Sequence, residues 1–147
     1  MPLTIADIMS TRVVTVEMDD RLLMAKDIFD QVKFHHLLVV DENQLEGVLS
    51  ERDLLRAISP NLGNSAQTAK DLETLQKRVH QVMSRNPITV APHIDIGTAS
   101  QLILSNNIGC LPVLENGELV GIVTWKDLLG AYCGAKVNAP FQEQEDS

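Results

Sequence analysis

The sequence predicts an α+β fold of the α/β-sandwich kind, made of two β-α-β-β-α repeats packed in pseudo-twofold symmetry. Three observations predict it. First, the chain of 147 residues repeats itself: Ile8-Met9-Ser10 returns as Val82-Met83-Ser84, Thr15-Val16 as Thr89-Val90, and Asp53 as Asp127, each 74 positions on. A fixed offset is the mark of a duplicated supersecondary unit. Second, apolar spacing within each copy alternates between a period of two and steps of three and four, the signatures of strand and helix. Third, apolar residues are 44% of the chain but aromatics only 3%, so the core must be aliphatic.

Each copy reads in the same order. A short alternating strand opens it, Val14-Thr15-Val16 or, after Pro87, Ile88-Thr89-Val90. A helix follows, whose apolar face is Leu22, Ala25, Ile28, Phe29 and Val32, or Ile96, Ala99, Leu102, Ile103 and, less strictly, Asn106. Leu37 to Val40 and Leu111 to Leu114 are buried strands. The turns Asp41-Glu42-Asn43-Gln44 and Glu115-Asn116-Gly117-Glu118 come next, and Asn-Gly is a strong hairpin signal because both residues tolerate positive φ. Strands Leu45 to Leu49 and Leu119 to Val123 close each hairpin, and a last helix starts after Ser50 or Thr124. A unit of ~55 residues is marginal by itself, which favours packing of the two copies together. The boundaries are 1–60 for the first repeat, 61–78 for a linker, 79–134 for the second repeat and 135–147 for an acidic tail expected to fray. Around that linker Ser59 to Ser65 is loop material, and a helix is expected over 69–82, with Leu72, Leu75, Val79 and Val82 on one face.

Composition excludes several functions. A net charge of −8 disfavours DNA, whose phosphates demand a basic face, and disfavours anionic membranes. Cys110 and Cys133 sit in no CxxC pattern, so both read as reduced thiols of a cytoplasmic protein. The start shows no basic and apolar leader, and no apolar run is long enough to span a bilayer.

The sharpest motif is Gly47-x-x-Ser50-x-x-Asp53, repeated as Gly121-x-x-Thr124-x-x-Asp127. Ser or Thr three residues before an acid is a helix capping box, and seen once it would be read as that. The same geometry serves a ligand. A carboxylate accepts two hydrogen bonds, which suits the vicinal hydroxyls of a ribose, and a hydroxyl beside free helix amides suits phosphate. The glycine lets the strand run close to a neighbour or ligand. Capping and binding are compatible.

Taken in order and twice over, these residues resemble the CBS (cystathionine-β-synthase) domain, and the pair resembles the tandem known as a Bateman module, over about Ile5 to Tyr132. The resemblance implies a regulatory binder of adenosine nucleotides or adenosyl compounds, acting as a homodimer of tandem pairs. It implies that Asp53 and Asp127 hold ribose and that Ser50 and Thr124 contact ribose or phosphate. It implies clefts built from both repeats, with the backbone of Ile108, Gly109 and Cys110 beside Asp53 and that of Phe34, His35 and His36 beside Asp127. Asp20 to Ala25 and Ile94 to Ala99 would line the same clefts. The chain departs from the pattern at Leu38, where many members carry proline as Pro112 does, and at Asp20 and Ile94, where a small hydroxyl residue is frequent. His35-His36 resembles a basic pair that reaches phosphates in some members, and a histidine there would make affinity depend on pH. A metal at that pair is disfavoured, because adjacent strand side chains point to opposite faces. Arg52 and Lys126 sit in first helical turns, where a cation opposes the helix dipole unless an anion meets it.

No Gly-rich phosphate loop, nucleophile elbow or zinc spacing is present, so no catalytic residue, metal or required cofactor is expected. The reading is a non-enzymatic module that senses AMP, with ADP or ATP as further candidates, and acts on an unknown regulated protein or through dimerisation. The alternative is a structural dimerisation or interaction module without a nucleotide.

Overall fold

In the computed structural model, which describes residues 3–134, the elements run α1 (Ile5–Ile8), β1 (Thr15–Glu17), α2 (Leu22–Gln31), β2 (His36–Asp41), β3 (Gln44–Ser50), α3 (Glu51–Ala57), α4 (Ala69–Glu73), β4 (Ser84–Arg85), α5 (Ile96–Asn106), β5 (Cys110–Glu115), β6 (Glu118–Thr124) and α6 (Trp125–Tyr132). The expected tail from 135 onward lies outside the described residues. The mixed α+β architecture forms twice, but the compact units are cut differently from the repeats. One is Val14–Pro87; the other is the described part of Met1–Val13 together with Ile88–Ser147.

In the unit Val14–Pro87 the sheet order is β1-β2-β3-β4, with β1 parallel to β2 and the other pairs antiparallel. Its core is Val16, Leu22, Ala25, Phe29, Leu37, Val39, Leu49, Leu54, Val79 and Met83. The helix face read from the 3-4 spacing is therefore the face that α2 buries. In the other unit β5 and β6 pair antiparallel, and two isolated bridges, Val90 to Val113 and Ser10 to Ile122, extend them in the same order. Its core is Ile5, Ile8, Val90, Ala99, Ile103, Leu111, Val113, Val123 and Leu128. Both hairpins carry an irregularity at the same repeat position, between Val39 and Val40 and between Val113 and Leu114.

The segment that opens each repeat thus joins the other repeat's sheet. Ser10 exchanges both backbone bonds with Ile122 at 2.9 Å, while Ser84 pairs with Val48 and Arg85 with Gly47. The motif glycines make this possible. A Cβ on Gly47 would lie 2.6 Å from the Ser84 carbonyl and 2.8 Å from Met83 Sδ, and one on Gly121 would lie 2.8 Å from both Ser10 O and Met9 Sδ. Their neighbour is this Met-Ser backbone.

Two expectations are corrected. The helix read over 69–82 breaks up: α4 ends at Glu73, a 3-10 turn spans Thr74–Gln76, Lys77 is extended, and a second 3-10 turn spans Val79–Gln81. The reason is competition for backbone groups. Leu22 N donates to Lys77 O at 2.8 Å, Val79 N to Asp20 O at 2.8 Å and His80 N to Met18 O at 3.0 Å, so residues 77–80 bond to residues 18–22 and the helix is interrupted between its local turns. The strand Ile88-Thr89-Val90 shrinks to a single bridge at Val90. In the other unit Leu38 N donates to Val14 O at 3.0 Å. The equivalent Pro112 has no N–H, so the ladder loses that bond.

Candidate functional site

Both motif residues stand where strand becomes helix. Ser50 is the N-cap of α3, and its Oγ accepts from Asp53 N at 3.0 Å while Ser50 N donates to Asp53 Oδ2 at 3.2 Å. Thr124 caps α6 in the same way: its Oγ1 accepts from Asp127 N at 3.4 Å, and its N donates to Asp127 Oδ2 at 2.9 Å. The capping box and the candidate ribose acid are thus one structure. In Asp127 the cap engages Oδ2, and burial pushes the carboxyl above its ordinary value, opposed by the hydrogen bonds from Thr124. A half-buried carboxylate with an oxygen beyond its cap is a hydrogen-bond acceptor of raised strength, because low polarity strengthens each bond it makes.

Within each unit the segment before the second strand lies against that unit's own motif. His36 pairs with Ser50 and Cys110 with Thr124 across the two hairpins. His35 O accepts from Glu51 N at 2.9 Å, and Gly109 O accepts from Trp125 N at 3.1 Å. The side chains differ. His35 is exposed and its Nδ1 sits 3.0 Å from Glu51 Oε1. His36 is half-buried, and desolvation, with His35 adding to it and Asp53 opposing, lowers its pKa below 6.5. In the second copy Cys110 is buried and its thiol is pushed up to about 12 by desolvation, so it stays protonated. Cys110 and Cys133 are both free thiols.

Phe34 is half-buried. Ile108 packs on the core of its unit, and its N donates to Ile103 O at 3.2 Å. Arg52 and Lys126 are exposed; Lys126 Nζ lies 5.8 Å from the centre of the Trp125 ring. Trp125 itself is 49% exposed. Sequence reasoning missed Glu51 as the partner of His35. The signal was available, since Glu51 is the first residue after the cap and His36 pairs with that cap. Among the described residues no group of three or more His, Cys, Asp or Glu could hold a metal ion, and no helix is long and apolar enough to cross a membrane.

Comparison with known proteins agrees with this geometry. The family model described as the CBS domain matches residues 5–60 and again 79–134. A CBS domain-containing protein of Dictyostelium discoideum is 33% identical over 132 residues, spanning 88% of this chain and 90% of its own. The CBS domain pair of protein MJ0100, solved in complex with 5′-methylthioadenosine and S-adenosyl-L-methionine, superposes with a TM-score of 0.76 at 25% identity, over 92% of this chain and 100% of that one. The structure of CBSX2 in complex with AMP superposes with a TM-score of 0.72 at 26% identity, over 90% and 97% of the two chains. The duplicated strand-helix-hairpin-helix unit and its capped Ser/Thr-x-x-Asp thus have their place: the chain belongs to the CBS domain family and carries two copies of the domain in tandem.

Proposed function

We propose that this chain is a regulatory module that binds an adenosine-containing ligand through its two helix-start motifs. The observation that carries the reading is the partly buried acid at the third position of each capping box, Asp53 and Asp127, held by its own cap at one oxygen. A cap works equally well in full contact with water, whereas an acid withdrawn from water is suited to an uncharged diol. The adenosine ligands named for the MJ0100 pair and for CBSX2 support the same class. In this reading Asp53 and Asp127 hold ribose, Ser50 and Thr124 contact ribose or phosphate, the backbones of Phe34 to His36 and Ile108 to Cys110 meet the purine, and Arg52 and Lys126 face phosphate. AMP is favoured over ADP and ATP because a net charge of −8 repels a triphosphate more strongly than a monophosphate. The output passes through a second copy of the chain or a regulated partner, in the cytoplasm, without catalysis.

The test is titration of the full chain with AMP, ADP, ATP and S-adenosyl-L-methionine, followed by melting temperature and by the fluorescence of Trp125. Bound ligand raises the melting temperature by mass action. Asp53→Ala and Asp127→Ala each remove one binding equivalent, with affinity at that site falling at least about tenfold, the scale of a lost hydrogen bond to a charged group. Silence toward every adenosine compound at millimolar concentration favours the second reading, a structural interaction module. One observation speaks for that reading: Leu104, Trp125, Leu129 and Tyr132 on α5 and α6 are each about half exposed or more.

A further inference from the structure

A thioether sits over the motif glycine in each unit. Met83 Cγ and Sδ stand 3.2 and 2.8 Å from where a Cβ on Gly47 would be, and Met9 Cγ and Sδ stand 3.3 and 2.8 Å from the matching point on Gly121. The two sulfurs are packed alike but shielded unequally. Met83 is 8% exposed and belongs to the core of its unit. Met9 is only half-buried and packs on the other core without belonging to its buried set. What Met9 helps to hold is the opening segment. Ile5 N donates to Ile94 O at 2.8 Å, Ala6 N to Pro92 O at 2.9 Å and Ile96 N to Leu3 O at 3.1 Å, and Ser10 exchanges both bonds with Ile122. Met9 lies between these two sets, and its own N closes α1 onto Ile5 O at 2.8 Å. Ile5 and Ile8, at 0% and 1% exposure, are the other apolar anchors. Of the three, Met9 is the one that water reaches and the one whose side chain can be chemically changed.

We propose that Met9 is an oxidation site through which an oxidant of the peroxide class loosens the opening segment from β6. Peroxide gives one oxygen to Sδ: an S–O bond forms as the O–O bond breaks, the sulfur is oxidised by two electrons, and water leaves. The product is a sulfoxide, polar and larger by one oxygen. A sulfur this close to Gly121 has no room for that oxygen on its packed side, and a polar group turned toward an apolar core without a partner is costly. The side chain therefore swings outward and uncovers Ile8 and the Gly121 strand, leaving the Ser10–Ile122 pair without its cover. Met83, withdrawn from water, is spared, and Met24, 48% exposed on α2, packs on no motif glycine. This device needs no bound ligand and stands apart from the adenosine reading.

The test treats the full chain with hydrogen peroxide, maps sulfoxide by peptide mass spectrometry and follows amide hydrogen exchange. Met9 should react at least about threefold faster than Met83. Exchange at the Ile5, Ala6 and Ser10 amides should rise at least about tenfold, while the Val79 and His80 amides, which make the matching bonds in the other unit, stay protected. Methionine sulfoxide reductase with a thiol reductant should restore the protection, which a damaged or unfolded chain would not regain. Met9→Leu keeps the volume and removes the sulfur; peroxide should leave its opening segment protected although Met18 and Met24 still oxidise. Met9→Gln places a polar group there and should raise exchange at the same three amides without any oxidant. Met9 reacting no faster than Met83, Met9 sulfoxide formed with exchange unchanged, or an equal loss of protection in Met9→Leu would each overturn the assignment.

Discussion

Gly47 and Gly121 show how a single residue type can be dictated by a contact made from elsewhere in the chain. Each strand lies so close to a Met-Ser backbone that a methyl group would fall within 2.6 to 2.8 Å of a carbonyl oxygen and a sulfur. The sulfur can move, but the carbonyl is fixed by the sheet pairing. Gly47→Ala and Gly121→Ala should therefore each cost about 1–3 kcal/mol, the range for overpacking a filled site. Urea denaturation of each variant measures it, and a cost below a few tenths would show that the opening segment yields freely. His36 supplies a second prediction at this scale. Its folded pKa lies below 6.5, so the unfolded chain binds the proton more readily. The stability it contributes is complete above pH 6.5 and is lost as pH falls through the folded value. Between about pH 7.5 and about pH 5.5 the wild type should lose more melting temperature than His36→Asn. Identical losses would mean that His36 titrates as it does in water.

At the scale of the element, the two hairpins perform one task with unequal residues. In the second, Asn116 and Gly117 take φ of 53° and 80°, while in the first Glu42 and Asn43 take 49° and 67°. Both positive-φ pairs match the twist of the strands they join. Glutamate, however, has no side-chain bond suited to the left-handed region and pays the steric penalty there. Glu42→Asn combined with Asn43→Gly should stabilise the chain by about 1 kcal/mol, read as a rise of roughly 3 °C in melting temperature. An unchanged or lowered value would place the strain of this turn elsewhere. The elements themselves were legible because their apolar periods are short-range. Leu22, Ala25 and Phe29 mark one face of a helix whatever that helix packs on, and Ser50 and Thr124 announce the helices they cap. The stretch over 69–82 misled for the converse reason. Its apolar spacing fits a helix, but the Lys77 carbonyl and the Val79 and His80 amides are claimed by residues 18–22, and no local pattern records a distant claimant.

For the molecule as a whole, the duplicated sequence and the compact units do not share boundaries, and this consequence of the fold was least legible. Ile5 and Ile8 belong by sequence to the first repeat and by burial to the core of Val90, Leu111 and Val123, whereas Val79 and Met83 belong by sequence to the second and by burial to the core of Val16, Leu37 and Leu49. A repeat's own residues do not say which copy's sheet its opening segment will join, since both sheets offer a glycine at the matching place. The motif glycines were the trace, read correctly as a close approach but without its partner. A fragment spanning Val14–Pro87 holds every buried residue of its core cluster, while a fragment spanning residues 1–60 lacks Val79 and Met83 and leaves Ile5 and Ile8 without their neighbours. Each fully buried aliphatic side chain contributes ~1.5–3 kcal/mol. Losing two from a unit this small removes a large part of its net stability. The fragment Val14–Pro87 should therefore melt cooperatively and show dispersed amide signals, and the fragment 1–60 should do neither. Equal folding of the two would show that the opening segments are dispensable ornaments of the sheets they join and that the repeat, not the exchanged unit, is the cooperative element.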